Sequence, residues 1–330
     1  VFDLRSAELV ERYDGFGASV GSVLHLGGAL VAAEHPNHGQ AQCRIVRCEN
    51  GRERVLHTAS GAADCLALTG DGTFAAGTRD GTLLFSGVNG RLAARGVQSF
   101  ELGKNQWPRQ LAAQPGGTGR LALLGRSVHL IEPATGRARP VLRRSAIARI
   151  AFAGPGALVC AEHDGTLTRV PLESGRDAPH HHAKLPGFGG MAVLPGSGRV
   201  VAADGHGDLH LLDGETLEGV AVHAPSRRGQ PSGLTVSPGG EFLAAGHRDG
   251  AIDLFDLRLL EVPALVRRPM AAFLPRHLEL VAAACTDPAS SDRTRRTLEL
   301  LRACLEHRFR FDVELGEAVA PARGEHDISL

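Results

Sequence analysis

What most constrains this chain is a period. Taking the glycine of each polar turn as a marker gives Gly39, Gly81, Gly125, Gly165, Gly207 and Gly250, at intervals of 42, 44, 40, 42 and 43 residues. Before each marker lies a short apolar run (30–33, 74–76, 121–124, 158–161, 200–203 and 242–245) that reads as a buried strand. A partly alternating strand follows, as in Thr166-Leu167-Thr168-Arg169-Val170. Turn signals at Asn50-Gly51, Asn89-Gly90, Thr135-Gly136 and Ser174-Gly175 then lead to a third, more polar strand. A fourth, apolar segment opens the next repeat: "DCLALTG", "RQLAAQP", "ARIAFAG", "GGMAVLP" and "SGLTVSP".

Four strands in about 40 to 45 residues is the blade of a β-propeller. A lone four-stranded sheet cannot bury both faces, whereas blades set radially cover one another and leave only short outer edges. A large sandwich is the rival, but six consecutive near-identical periods are not expected there. Composition agrees, since 42 glycines supply tight turns and 43% hydrophobic residues supply a substantial core.

The repeats resemble WD repeats in degenerate form, over about 260 positions of the chain. "SPGGEFLAAGHRDGAIDLFDL" (237–257) matches best, with Phe255-Asp256 standing where the family has its Trp-Asp pair. The resemblance implies a hydrogen-bonded network inside each blade, with the turn Asp matched by Asp80, Asp164 and Asp249 and the strand-ending Ser/Thr by Thr78. The chain departs from the pattern in three ways. His35, His163 and His247 stand near the Ser/Thr position, the Gly-His pair before the first strand is missing, and no blade has the Trp. Those three histidines read as one recurring blade position. There they either fix each turn by a hydrogen bond to the neighbouring Asp or backbone, or form a ring that senses pH or contacts a ligand.

"FDLR" at 2–5 recurs at 255–258, 253 residues later, or about six periods. The chain therefore begins inside a repeat, and with Val rather than Met. The expectation is that residues upstream held the first two strands of this blade, and that ring closure gives seven blades, with six as the alternative.

After Glu261 the turn chemistry stops. Leu274, Leu278, Val281 and Cys285, then Leu298, Leu301 and Leu305, each form one apolar stripe at helical spacing. Pro288 and the Ser290 to Asp292 cluster separate the two stripes and can cap the second helix. The fold class expected is thus an all-β WD-repeat-like propeller over 1–262 followed by a C-terminal α-helical hairpin over 263–310, helical from about 269 to 309. A tail, 311–330, contains two similar segments (311–315 and 326–330), either edge strands or a flexible peptide for another protein. Cys285 lies beside the helical connection and Cys304 about three turns away, which argues against a disulfide between them.

Motifs for chemistry fail on context. "GASVG" (17–21) has the form of a nucleophile elbow around Ser19, but the elbow needs a helix after it and "SVLHL" reads as strand. Of His180 to His182 only alternate members could share an ion, and His206, Asp208 and His210 lie partly in a turn. The six cysteines include no CxxC pair, and no HExxH, Walker loop or GxGxxG is present. No catalytic residue, metal or cofactor is assigned.

Thirty-six basic against 36 acidic residues leave no overall field for nucleic acid or an anionic membrane, and no apolar run of membrane-spanning length exists. The function expected is a non-catalytic protein–protein interaction scaffold that presents a loop face and a helical extension to partner proteins. The alternative is a propeller enzyme, such as a metal-dependent hydrolase or lactonase, with a site at the central channel. The presumed innermost strands offer no ligands for that site.

Arg79, Trp107, Arg109, Arg149, Phe188 and Arg248 occupy corresponding loop or strand-start positions and combine the residue types enriched at binding hot spots. Trp107, the one tryptophan, is either an anchor for a partner or a plug over a neighbouring blade. The Ala-, Arg- and Gly-rich composition resembles that of a bacterium with a GC-rich genome, and reduced thiols fit a cytoplasmic protein. Bacterial propellers of this kind resemble partners of AAA-type ATPases and von Willebrand-type domains, which are the partner classes so implied.

Overall fold

A computed structural model describes residues 19–26, 29–35, 42–49, 52–59, 63–69, 74–78, 82–86, 92–96, 108–115, 119–133, 135, 137–143, 146–172, 181–223, 229–237, 239–257, 273, 275–286 and 292–314. These residues form six antiparallel sheets, each a meander whose consecutive strands pair. The first sheet is β1 (Ser19–Leu26), β2 (Ala29–His35), β3 (Cys43–Glu49) and β4 (Arg52–Ala59). The second is β5 (Ala63–Leu68), β6 (Phe74–Thr78), β7 (Thr82–Ser86) and β8 (Leu92–Gly96). The third is β9 (Gln110–Ala113), β10 (Leu121–Leu124), β11 (Val128–Glu132) and β12 (Arg137–Leu142). The fourth is β13 (Ile147–Phe152), β14 (Ala157–Glu162), β15 (Thr166–Pro171) and β16 (His181–Lys184). The fifth is β17 (Gly190–Val193), β18 (Val200–Ala203), β19 (Leu209–Leu212) and β20 (Gly219–His223). The sixth is β21 (Gly233–Val236), β22 (Phe242–Gly246) and β23 (Ile252–Asp256).

Each second strand coincides with an apolar run preceding a marker glycine, and β6, β10 and β18 are buried along their whole length. Such a strand has neighbours on both sides in its own sheet and a further sheet against its face, which is why it reads as a continuous hydrophobic run rather than an alternating one. The blade count is corrected to the alternative: the described residues hold six sheets, not seven. Residues 2–5, which carried the argument for a seventh, lie outside the described residues.

The chain divides into two compact units, 1–188 with 214–217, and 189–213 with 218–330. In the first, apolar clusters join sheet one to two (Val31, Ile45, Leu66, Phe74), two to three (Leu83, Leu111, Leu123, Ile131) and three to four (Leu124, Leu130, Ile150, Leu158). In the second, Val201, Leu211 and Leu243 join sheets five and six. Burial of such Leu and Ile side chains supplies about 1.5–3 kcal/mol each and dominates the cohesion between blades.

Adjacent innermost strands share no ladder, so side chains bridge them. The Gln110 amide on β9 donates to Ile150 O and accepts from Ile150 N on β13, both at 2.9 Å. Arg109 Nη2 donates to Ile147 O at 2.7 Å, and Gln114 Nε2 donates to Pro155 O. Ser22 Oγ accepts from Leu66 N at 3.2 Å between sheets one and two.

The marker glycines of sheets four and five carry positive φ, 88° at Gly165 and 95° at Gly207. A Cβ at Gly165 would lie 2.3 Å from Leu185 O, and one at Gly207 would lie 2.5 Å from Gly229 O. The segment leading to the next blade thus crosses directly over each turn, and only glycine has room there.

In the second unit, α1 (Pro275–Thr286) and α2 (Asp292–Glu314) pack on each other. Phe273, Val281, Ala284, Leu298 and Leu305 are buried between them, with Leu278, Cys285, Leu301 and Phe309 partly so. The described members of both stripes are therefore the packed faces; Leu274 lies outside the described residues. Helix α2 continues through 311–314, so most of the first tail segment is helical rather than an edge strand or loose peptide. Cys285 and Cys304 are free thiols, the latter exposed. Among the described residues no helix is long and apolar enough to cross a membrane.

Candidate functional site

In a meander, the start of the first strand and the turn between the second and third strands lie on the same edge of the sheet. That edge carries Thr78, Arg109, Arg149, His163, Asp164, Phe188, His247, Arg248 and Asp249. Three of the candidates, Arg79, Trp107 and Asp80, lie outside the described residues.

The end of the second strand is a position for a buried polar side chain. Thr78 fills it in sheet two and is fully buried; Glu34 and Asp204, in sheets one and five, are each 2% exposed. Glu34 is gripped by Arg44, with Nε to Oε2 at 2.7 Å and Nη2 to Oε1 at 3.0 Å, and Arg44 also meets Glu53 at 2.9 Å. The Glu34 carboxylate raises the Arg44 guanidinium pKa above its ordinary value, against a desolvation that lowers it. Asp204 accepts from His206 N at 2.8 Å and Asp208 N at 3.0 Å, and the His210 imidazole lies 3.0 Å from its other oxygen. Burial pushes the Asp204 pKa up, but the His210 and main-chain hydrogen bonds outweigh it and hold the carboxyl below its ordinary value.

In sheet six His247 takes that position and meets Asp253 at 3.0 Å. His163 does not. The N–H of the marker glycine donates to Glu162 O in sheet four, as it does to Asp204 O and His247 O in sheets five and six. His163 is one residue further on and exposed. His35 ends β2 opposite Ser19, one residue after Glu34, and its side chain is not among those described. The single recurring histidine position expected from the sequence is thus corrected. His163 and His247 occupy different places, because the turns carry the same chemistry with the residue identities permuted.

The turn aspartates behave alike. Asp164 Oδ1 accepts from Thr166 N at 2.9 Å and Asp249 Oδ1 from Ala251 N at 3.1 Å, each closing its turn two residues on. Lys184 lies 2.5 Å from Asp164 and, with the Thr166 hydrogen bonds, lowers that carboxyl to about 2.

Arg109 and Arg149 are exposed at the starts of β9 and β13, and Arg248 is exposed in the β22–β23 turn. Phe188 is half-buried ahead of β17. The Arg109 guanidinium is partly committed to the Ile147 carbonyl. Ser19 opens strand β1 and is followed by strand, not helix, so the elbow geometry is absent there. His182 Nδ1 lies 3.1 Å from the buried Thr168 hydroxyl, and His210 is taken by Asp204, so neither histidine cluster stands apart as a ligand set. Among the described residues no group of three His, Cys, Asp or Glu is placed to hold a metal ion. The sequence reading missed Asp204 because its partner lies six residues on, across a turn. It missed Gln110 because a glutamine flanking an apolar strand carries no motif.

No family model matches the chain. It is 32% identical over 168 residues to a protein named dihydro-heme d1 dehydrogenase from Pseudomonas aeruginosa, a match spanning 47% of this chain and 34% of that protein, about a third of the relative's length. Among solved structures it resembles one described as the structure of U3-55K, with TM-score 0.56 and 15% identity over 73% of this chain and 78% of the other. It also resembles a crystal structure of RRP9 WD40 repeats, with TM-score 0.56 and 15% identity over 73% and 77%. The fold is that of a WD40-like β-propeller, with six blades among the described residues.

Proposed function

We propose that the chain is a non-catalytic scaffold that holds other proteins on the strand-start edge of its blades and on its helical extension. The observation that carries this reading is the commitment of Glu34, Asp204 and His247, the described ionisable groups at the ends of second strands in sheets one, five and six, to blade structure. Asp204, Glu34 and His247 are each occupied by a neighbour in the same blade, and Asp204 is held ionised rather than poised as an acid. A catalytic carboxylic acid needs the reverse, a pKa moved up toward neutrality and an open side. The WD40-like fold supports the same reading at the level of architecture.

The resemblance noted above suggests an AAA-type ATPase or a von Willebrand-type domain as partner, in a bacterial cytoplasm; the buried Cys43, Cys48, Cys65 and Cys160, held as thiols rather than disulfides, fit a reducing compartment. Affinity capture followed by mass spectrometry tests the scaffold, and recovery of no specific protein would count against it.

The partial likeness to a dihydro-heme d1 dehydrogenase favours a second reading, a propeller that binds a tetrapyrrole. Titration with hemin separates the two. An equimolar, saturable shift of the pigment's absorption supports the second reading, and stoichiometric divalent metal in the purified protein would instead support a hydrolase.

A further inference from the structure

We propose that the turn joining β19 to β20 is a strained clasp, closed by the buried Leu217 side chain and opening by local unfolding while the blade cores stay intact. The proposal holds for either functional reading above. The tip of this turn, 214–217, belongs to the first compact unit. There Arg169, on β15, donates from Nε to Gly214 O at 3.1 Å.

The backbone of the tip is under strain. Asp213 N donates to Glu218 O at 2.9 Å and closes the loop Gly214-Glu215-Thr216-Leu217. Sheet three closes a loop of the same length between Glu132 and Arg137, and the last residue of that loop in the sequence is Gly136. Sheet five has leucine at this position. With φ 59°, Leu217 is the one non-glycine residue of positive φ among the described residues.

A left-handed backbone disfavours a residue with a Cβ by about five- to thirtyfold, and glycine would escape that cost. What keeps the leucine is its side chain. Leu217 is 3% exposed, although Glu215, Thr216 and Glu218 around it are all exposed. Burying a leucine side chain is favoured about ten- to hundredfold. Strain and burial are therefore of similar size, and a small margin with one hydrogen bond holds the tip closed. The sheet beneath is held by a whole cluster that includes Leu130, Ile150 and Leu158. The clasp is accordingly cheaper to open than the blade it rests on, and the strain held at Leu217 is released when it does.

Two substitutions separate the peg from the strain. Leu217→Ala removes the peg and keeps the strained backbone, whereas Leu217→Gly removes both. The glycine variant should therefore melt at a higher temperature than the alanine variant, the reverse of the order at a buried leucine of ordinary backbone.

Opening is read in the full chain carrying Leu217→Cys, alkylated with iodoacetamide under native conditions and followed site by site by mass spectrometry. Cys160 on β14 is 1% exposed in the core of the same unit, and its labelling reports unfolding of that core. The introduced thiol should react at least about tenfold faster than Cys160, at a rate that low urea leaves unchanged while labelling of Cys160 accelerates. Adding Arg169→Ala should speed the introduced thiol about fivefold more and Cys160 less.

Equal rates with equal urea dependence at the two thiols overturn the proposal, as does an alanine variant at least as stable as the glycine variant. If the chain with Leu217→Cys does not fold, the order of the alanine and glycine variants decides. A glycine variant that does not fold also overturns it, because a clasp that opens on its own does not hold up the unit.

Discussion

Asp204 and His210 are joined across the β18–β19 turn at 3.0 Å, and one blade later the same pair recurs with its members exchanged: His247 stands where Asp204 stands, and Asp253, also 3.0 Å away, where His210 stands. The register fixes the equivalence, because Ala203 with Leu209 and Gly246 with Ile252 are the last ladder pairs before each turn. An acid and an imidazole bridging the turn are what the position requires, in either order.

Asp204→Ala takes three interactions from a nearly sealed site and strands two main-chain donors, so a loss of about 3 kcal/mol is expected in urea unfolding. Combining Asp204→His with His210→Asp should lose less than the two single changes added together, by a coupling of about 1 kcal/mol. The recovery is incomplete because imidazole cannot accept both main-chain N–H groups. Strict additivity would show that the pair contributes nothing as a pair.

Gln110→Ala should cost about 1–3 kcal/mol, since the N–H and carbonyl of Ile150 lose their side-chain partner across the seam. Gln110→Glu should cost more than Ala, because it sets a carboxylate against the Ile150 carbonyl. Thermal melts of the three proteins check the order native, Ala, Glu.

Three glycines with the same φ sign should respond unequally to alanine. At Gly165 and Gly207 the new methyl would meet main-chain oxygen of Leu185 and Gly229, whereas at Gly250 no atom of the described residues lies within 4 Å. Gly250→Ala should cost only the left-handed backbone penalty of about 1–2 kcal/mol, and the other two several kcal/mol or loss of folding. Equal losses at all three would mean that the crossing segment yields.

His129 sets an acid limit on stability. It is 8% exposed, and its Nδ1 has no hydrogen-bond partner among the described residues. Burial drives its pKa below the ordinary 6.5, a bond to the Ser127 main chain works against that, and Arg143 adds to the lowering. The unfolded chain therefore takes up the proton first as pH falls. Above pH 6.5 neither state binds it; just below, unfolding gains a proton and stability declines. His129→Leu should flatten the stability profile in that window. The loss from Asp204, whose folded pKa is depressed below 3.8, lies at lower pH and should persist in the variant.

The strands were legible because burial on both sides writes an unbroken apolar run, as at Leu121–Leu124, and because Gly165, Gly207 and Gly250 repeat at fixed spacing. The helices were legible in the stripes of Val281 and Leu298, which now face each other. The polar networks were not. Sequence marks Asp164 and Asp249, which bond two residues on, but hides Asp204–His210, whose meaning depends on which residues the turn brings opposite. It also hides Glu34, which meets Arg44 ten residues on, since a long-range pair leaves no spacing rule.

The hooks between innermost strands bear on how such a chain can be inherited. Gln110 grasps the N–H and C=O of Ile150, groups that every residue but proline possesses. The seam thus asks for a particular side chain on one blade and for almost nothing on the other. A blade copied or deleted by unequal crossing-over would bring its own hook and find a receptor already waiting. Neighbouring blades could then drift in identity, as the exchanged acid and imidazole have, without the seam between them having to coevolve.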